Sequence, residues 1–134
     1  MSESRKQFRI FVVDDEFVIA STLATILQRS GFDALSFTAP LEALAAARLD
    51  PPDLLISDVL MPELSGIELG IRVRDAHPEC KVLLFSGQAA TANLLDKARE
   101  RGYNFELLSK PIHPSDLLLK VKLVTEHGEG VGAA

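Results

Sequence analysis

Short apolar runs alternate with longer amphipathic ones along the whole chain. The apolar runs are Phe8–Val13, Ala34–Phe37, Leu54–Ile56, Val82–Phe85 and a weaker Phe105–Leu108. The middle ones have almost no polar interruption, the pattern of strands buried on both faces. Helical patterns lie between them. Phe17–Arg29 places Phe17, Ala20, Leu23, Ala24 and Leu27 on one face, and Gly31 follows in a C-terminal stop position. Thr38 is placed to cap a helix over Ala39–Arg48, with Pro40 in its first turn. Asp50-Pro51-Pro52-Asp53 ends that helix. Ser65-Gly66-Ile67-Glu68 has the spacing of a capping box and opens Ile67–Ala76, which His77-Pro78 ends. Gln88–Arg101 is rich in Ala and Leu and stops at Gly102. Pro114 opens Ser115–Glu126, whose Leu117, Val121 and Val124 line one face.

Five strand-then-helix repeats predict an α/β domain, a doubly wound parallel sheet with right-handed crossovers and helices on both faces. In such sheets chemistry gathers outside the carboxyl ends of the strands. The pattern divides the chain into an N-terminal extension (1–7), one domain (8–126) and a Gly-rich, flexible C-terminal tail (127–134).

Composition narrows the class. With 134 residues, 47% hydrophobic and 25% charged, the chain has the make-up of one ordinary globular domain. Such a domain buries about two-thirds of its unfolded surface and needs no disulfide staple. Cys80 is the sole cysteine, which excludes an intrachain disulfide and argues against a structural zinc site. A reducing, cytoplasmic setting is the simpler expectation. Fourteen Lys and Arg against 19 Asp and Glu give a formal net charge of −5. A field of that sign repels nucleic acid and anionic membranes. No apolar run approaches the ~20 residues of a membrane span, and the first residues hold no apolar secretory segment.

The candidate chemistry sits at the predicted strand ends. Strand one ends in Asp14-Asp15-Glu16 and strand three in Ser57-Asp58. Taken alone, Asp14 and Asp15 read as acidic residues at a helix N-terminus. If strands one and three are neighbours, however, three carboxylates share one site. Unpaired carboxylates ~4 Å apart repel by roughly 4 kcal/mol at an effective dielectric of 20. Such a cluster calls for a cation, and an all-oxygen set suits Mg²⁺ or Mn²⁺. Strand four ends in Ser86-Gly87, a hydroxyl donor followed by a backbone that a ligand can approach closely. Strand five ends in Ser109-Lys110-Pro111, where Lys110 supplies a compact positive charge suited to an anion. Carboxylates, a hydroxyl and an ammonium define a site for a divalent cation and a phosphoryl group. No Gly-rich nucleotide loop is present, so a carboxylate must be the acceptor, and Asp58 is the natural nucleophile.

With these residues in place the sequence resembles a response regulator receiver domain, of the CheY-like, single-domain form. The resemblance rests on Asp14-Asp15, Asp58, Ser86 and Lys110-Pro111, and most specifically on Asp58-Val-Leu-Met61-Pro62-Glu-Leu-Ser-Gly66, which matches D-x-x-M-P-x-x-x-G. It spans about Phe8 to Glu126. It implies a flavodoxin-like (βα)5 three-layer sandwich with sheet order 2-1-3-4-5, acting as a phosphoacceptor in a two-component phosphorelay rather than as an enzyme on external substrates. Asp58 takes the phosphoryl group. Asp14, Asp15, Asp58 and the backbone carbonyl of Leu60 hold the metal. Lys110 and Ser86 contact the phosphate, with Gly87 as a backbone contact. The implied partners are a sensor histidine kinase or phosphotransfer protein and a downstream protein effector. Neither direct nucleic-acid binding nor membrane insertion is expected. A homodimer through helix 4, strand 5 and helix 5 is also implied as a use of that face, where Leu118, Leu119 and Leu123 exceed the needs of one buried stripe.

Three positions depart from the family pattern, the mildest being Gly87, where a small residue such as alanine is common. The aromatic switch residue normally lies three before the lysine; here that residue is Leu107. Either Leu107 is simply core, or Phe105, expected to face otherwise, substitutes through a bulge. Leu60 is apolar where its side chain would meet attacking water, which implies slow self-dephosphorylation. Two alternatives compete with this reading. One is a phosphorylation-independent receiver-like module for protein binding or dimerisation. The other is an aspartyl-phosphate hydrolase, which the absence of D-x-D on strand one disfavours. His77, His113 and His127 lack metal-ligand spacing and read as surface or loop residues. The length leaves no room for an output domain beyond Glu126, so either a stand-alone receiver or the receiver of a longer regulator is expected.

Overall fold

The computed structural model describes residues 7–87 and 91–130. Five strands alternate with five helices: β1 (Arg9–Val13), α1 (Phe17–Arg29), β2 (Asp33–Phe37), α2 (Pro40–Leu49), β3 (Leu54–Asp58), α3 (Gly66–Ala76), β4 (Lys81–Ser86), α4 (Thr91–Glu100), β5 (Glu106–Ser109) and α5 (Pro114–Gly130). All pairings are parallel and the order is β2-β1-β3-β4-β5. This is the predicted doubly wound sandwich.

The unbroken apolar runs belong to the three inner strands because both of their faces are covered. Phe11, Val13, Leu55, Val82 and Leu84 pack beneath α2, α3 and α4. Ile10, Val12, Leu54, Ile56, Leu83 and Phe85 pack beneath α1 and α5. Period-two alternation sends neighbouring residues to opposite layers, and both layers are apolar.

Local signals set most of the helix ends. The Ser65 hydroxyl accepts from the Glu68 N–H at 3.1 Å, the capping bond its spacing predicts. Gly31 and Gly102 have φ of 97° and 95°. Each closes a helix with paired backbone bonds: Phe32 and Gly31 N–H donate to the Leu27 and Gln28 carbonyls, and Tyr103 and Gly102 N–H to those of Ala98 and Arg99. Other expectations need correction. The N-cap of α2 is Ala39, without a side-chain bond, so Thr38 is not the cap. Pro40 opens that helix with its φ already fixed, which makes a side-chain cap dispensable. Phe17 is 68% exposed rather than on the buried face of α1, because the first turn of the helix overhangs the sheet edge where the strands end. α5 runs four residues past Glu126, into the stretch expected to be a flexible tail. Its two glycines lower helix stability by about 1 kcal/mol each without forbidding the backbone bonds. Residues 88–90, the expected start of α4, lie outside the described residues, as do 131–134.

The inner layers give a direct test of this packing. Leu83 is fully buried at the middle of β4, so Leu83→Ala lowers unfolding free energy by about 3 kcal/mol, read from urea denaturation.

Candidate functional site

The parallel register brings the predicted residues to one edge. Val13 pairs with Ser57, Asp58 with Phe85, and Ser86 with Ser109. The next residues, Asp14 and Lys110, therefore leave the sheet beside Asp58. Asp14 has no exposed surface, Asp58 is nearly buried and Asp15 is exposed. One carboxylate oxygen from each of the three lies within 4.8 Å of the others. The Lys110 Nζ stands 3.4 Å from Asp14 Oδ2 and 3.4 Å from Asp58 Oδ2. Asp14 is fixed further by the Glu16 N–H, which donates to its Oδ1 at 2.8 Å.

Charge and burial oppose each other here. Burial pushes the Asp14 carboxyl above its ordinary range, against the Glu16 bond and Lys110; the neighbouring Asp58 adds to the rise. Burial likewise raises Asp58, against the pull of Lys110, and Asp15 adds to the rise. For Lys110, burial alone acts downward, but Asp58 and then Asp14 outweigh it and hold the ammonium above its usual value. Three hard oxygen donors, two of them desolvated and only partly balanced by one lysine, fit a small divalent cation.

Two contacts that the sequence does not reveal support this arrangement. A Cβ on Gly66 would stand 2.0 Å from the Asp58 carbonyl oxygen and 2.8 Å from Ser57 Oγ. Only glycine lets α3 start this close to the end of β3, where the Gly66 N–H donates to the Val59 carbonyl at 2.8 Å and Ser57 Oγ donates to the Asp58 carbonyl at 2.9 Å. Between them the loop turns at Glu63, a non-glycine residue with φ of 74°, closed by a Leu64 N–H bond to the Pro62 carbonyl. That is a strained turn held by its surroundings. The final glycine of D-x-x-M-P-x-x-x-G was the available signal. The second feature is Phe85, whose ring centroid lies 5.2 Å from Lys110 Nζ. It steers the ammonium from below by cation–π attraction; its plain apolar context in the sequence gave no signal.

The other predicted positions divide. Ser86 is buried at the end of β4, and its carbonyl accepts from the Lys110 N–H at 3.1 Å. Gly87 lies against Lys110, where a Cβ would meet ordinary contact at 3.5 Å, so the close approach expected there does not require glycine. Leu60 is exposed beside Asp58. The switch positions need correction. The β4–β5 register is unbroken from Leu83–Glu106 to Ser86–Ser109, so there is no bulge. Phe105 and Leu107 are two apart and face the same layer, not opposite ones. Phe105 is buried against Gly70 and Tyr103, at the amino end of the strand and away from Ser86. Leu107 is not core: it is 38% exposed.

The profile of the response regulator receiver domain family matches residues 10–122. The chain belongs to this family. The receiver domain is 31% identical over 114 residues to the response regulator receiver protein CpdR of Brucella abortus, covering 85% of this chain and 93% of CpdR. It is 33% identical to the transcriptional regulatory protein CreB of Escherichia coli over 84% of this chain and 48% of CreB. The receiver domain thus spans nearly all of one relative and about half of the other. Among solved structures, a CheY-like receiver domain protein from Methanospirillum hungatei superposes with a TM-score of 0.84 at 26% identity, covering 92% of this chain and 98% of that one. No helix among the described residues is long and apolar enough to cross a membrane.

The raised carboxyl groups fix the sign of a stability effect. A folded-state pKa above the unfolded one contributes stability below the ordinary aspartate range, and that contribution is lost as pH rises through the raised value. Without divalent ions, Asp58→Asn therefore raises the urea midpoint at pH 7, and the gain shrinks as pH falls through the carboxylate range. Added Mg²⁺ stabilises the wild type at pH 7 and does so less in the variant, as thermal denaturation will show.

Proposed function

We propose that the receiver domain takes a phosphoryl group on Asp58 and that the new charge switches its protein contacts. The observation that carries this is Lys110 Nζ at 3.4 Å from both Asp14 and Asp58, in a cluster completed by Asp15. A carboxylate oxygen of Asp58 attacks phosphorus in line. The bond from phosphorus to the donor's nitrogen or oxygen breaks, and the donor leaves with the electron pair. Lys110 moves from carboxylate to phosphoryl oxygen and stabilises the charge that develops there. Asp14, Asp15, Asp58 and the Leu60 carbonyl are the residues that hold Mg²⁺ or Mn²⁺, which when bound draws charge from the phosphoryl oxygens. Ser86 donates its hydroxyl to the phosphoryl group, and the backbone at Gly87 lies alongside. The domain acts as a phosphoacceptor, with no external substrate turned over.

The donor is a sensor histidine kinase or phosphotransfer protein in the cytoplasm. An apolar cavity of about 510 Å³ beside Lys110, lined by Val18, Ile19, Thr22, Leu23, Pro111 and Ile112, supports docking of a helical donor next to Asp58. The downstream protein effector meets α4, β5 and α5, where Leu107, Leu119 and Leu123 are exposed; a second copy bound there is the competing use of this face. The domain extends from Phe8 through the end of α5 at Gly130, four residues beyond the boundary read from the sequence. The exposed Leu107 also favours a second reading, a protein-binding module that works without phosphorylation, because no aromatic side chain stands at that position to follow Ser86 inward.

Acetyl phosphate with Mg²⁺ adds the mass of one phosphoryl group to the wild type and none to Asp58→Asn; Lys110→Ala slows the reaction by about 10²–10³-fold. A wild type that stays unmodified while both proteins bind the effector equally favours the second reading. Leu60 cannot orient water, so Leu60→Asn speeds loss of the phosphoryl group, measured after donor removal; equal rates overturn that role.

A further inference from the structure

The outer face of α2 carries a pattern that the phosphoacceptor site does not use. Pro40, Ala43, Leu44 and Ala47 are buried against the sheet. Leu41, Ala45 and Leu49 follow at i, i+4 and i+8 and form one ridge on the opposite side. All three are exposed, Leu41 at 48% and Leu49 at 89%. Leu35, on the edge strand β2 and on the α2 side of the sheet by its pairing with Phe11, is exposed as well. Solvated helix faces normally carry charge. This one carries only Glu42 and Arg48, and neither has an ion-pair partner among the described residues.

The order of these residues has a twofold symmetry. Reversing the helix about Ala45 sets Leu41 opposite Leu49 and Glu42 opposite Arg48. We propose that α2 is the contact between two copies of this chain, packed antiparallel about a twofold axis at Ala45. The small Ala45 side chain lets the two backbones approach at the crossing. Two Leu41–Leu49 contacts flank it, and two Glu42–Arg48 pairs close the rim. A self-complementary patch is what an isologous dimer requires. One helix crossing buries less than a standard interface, so the association is weak and concentration-dependent. The α2 edge lies beside β2, at the opposite end of the sheet from β5. A dimer built there leaves the acidic site and the α4–β5–α5 face open on both copies. It needs no phosphoryl chemistry and stands apart from that reading.

Sedimentation equilibrium over a wide protein concentration range tests it on the full chain. A monomer–dimer equilibrium is expected in the wild type. Leu49→Lys abolishes it, at a position too exposed to affect folding. Glu42→Arg alone or Arg48→Glu alone weakens it about tenfold, and the two together restore it, an outcome that a merely structural role for either residue does not give. Ala45→Cys cross-links to a dimer under mild oxidation, whereas Thr25→Cys on exposed α1 does not; Cys80 does not interfere, because burial pushes its thiol up to about 12. A wild type monomeric throughout overturns the proposal. So does a dimer that survives Leu49→Lys and is lost in Leu119→Lys with Leu123→Lys, which places the contact on α5.

Discussion

The Lys110 ammonium suspended between Asp14 and Asp58 is the interaction around which the rest of the molecule is arranged. Two desolvated carboxylates cannot sit side by side unless something holds them there and something offsets their repulsion. The sheet does the first. β1 and β3 are adjacent, buried on both faces and fixed in register, so the residues at their ends have no freedom to part. Lys110 does the second, and it reaches the pair because β5 hydrogen-bonds only to β4 and ends level with Ser86. The geometry is incomplete by design of its charges: one ammonium against three carboxylates leaves room for more positive charge, and a phosphoryl group can then draw Lys110 away from Asp14.

The approach of α3 follows from the same constraint. For Asp58 to face the site from the end of β3, the chain must turn back at once, and the Gly66 contact shows how little space that turn has. The strained φ at Glu63 and the Ser57 bond to the Asp58 carbonyl belong to one compact hinge. Its rigidity sets where Asp58 points. The same hinge leaves Leu60 exposed, so the loop that positions Asp58 also sets what a molecule approaching that carboxylate meets.

Much of this was legible in the sequence because the forces involved leave simple marks. Burial on two faces erases polar residues from β3 and β4, so those strands and their ends stand out. Parallel topology then predicts that Asp14, Asp58, Ser86 and Lys110 share an edge. What could not be read depends on neighbours in space. Phe17 sits at a core-facing spacing, but nothing in its helix says that the sheet stops beneath it. Gly66 reads as part of a motif, yet only the Asp58 carbonyl explains why the side chain must be absent. Phe105 and Leu107 were within reach of the two-residue period, which puts them on one side; which end of the strand lies under α3 is a matter of packing.

Leu107 stands where the family pattern has an aromatic residue, and it is partly exposed. An aromatic ring at that position can be drawn inward by a moving serine, because its flat face gains contacts over a wide sweep. A leucine carries less apolar surface than an aromatic ring, so inward motion gains it less burial. On the proposed phosphoacceptor function, the connection left between the Asp58 site and the α4–β5–α5 face is the backbone pairing of β4 and β5. Ser86 and Lys110 are tied there by a direct hydrogen bond, and a shift of either carries the other. A switch built on the proposed function would therefore rest on the paired strand ends rather than on the rotation of one side chain.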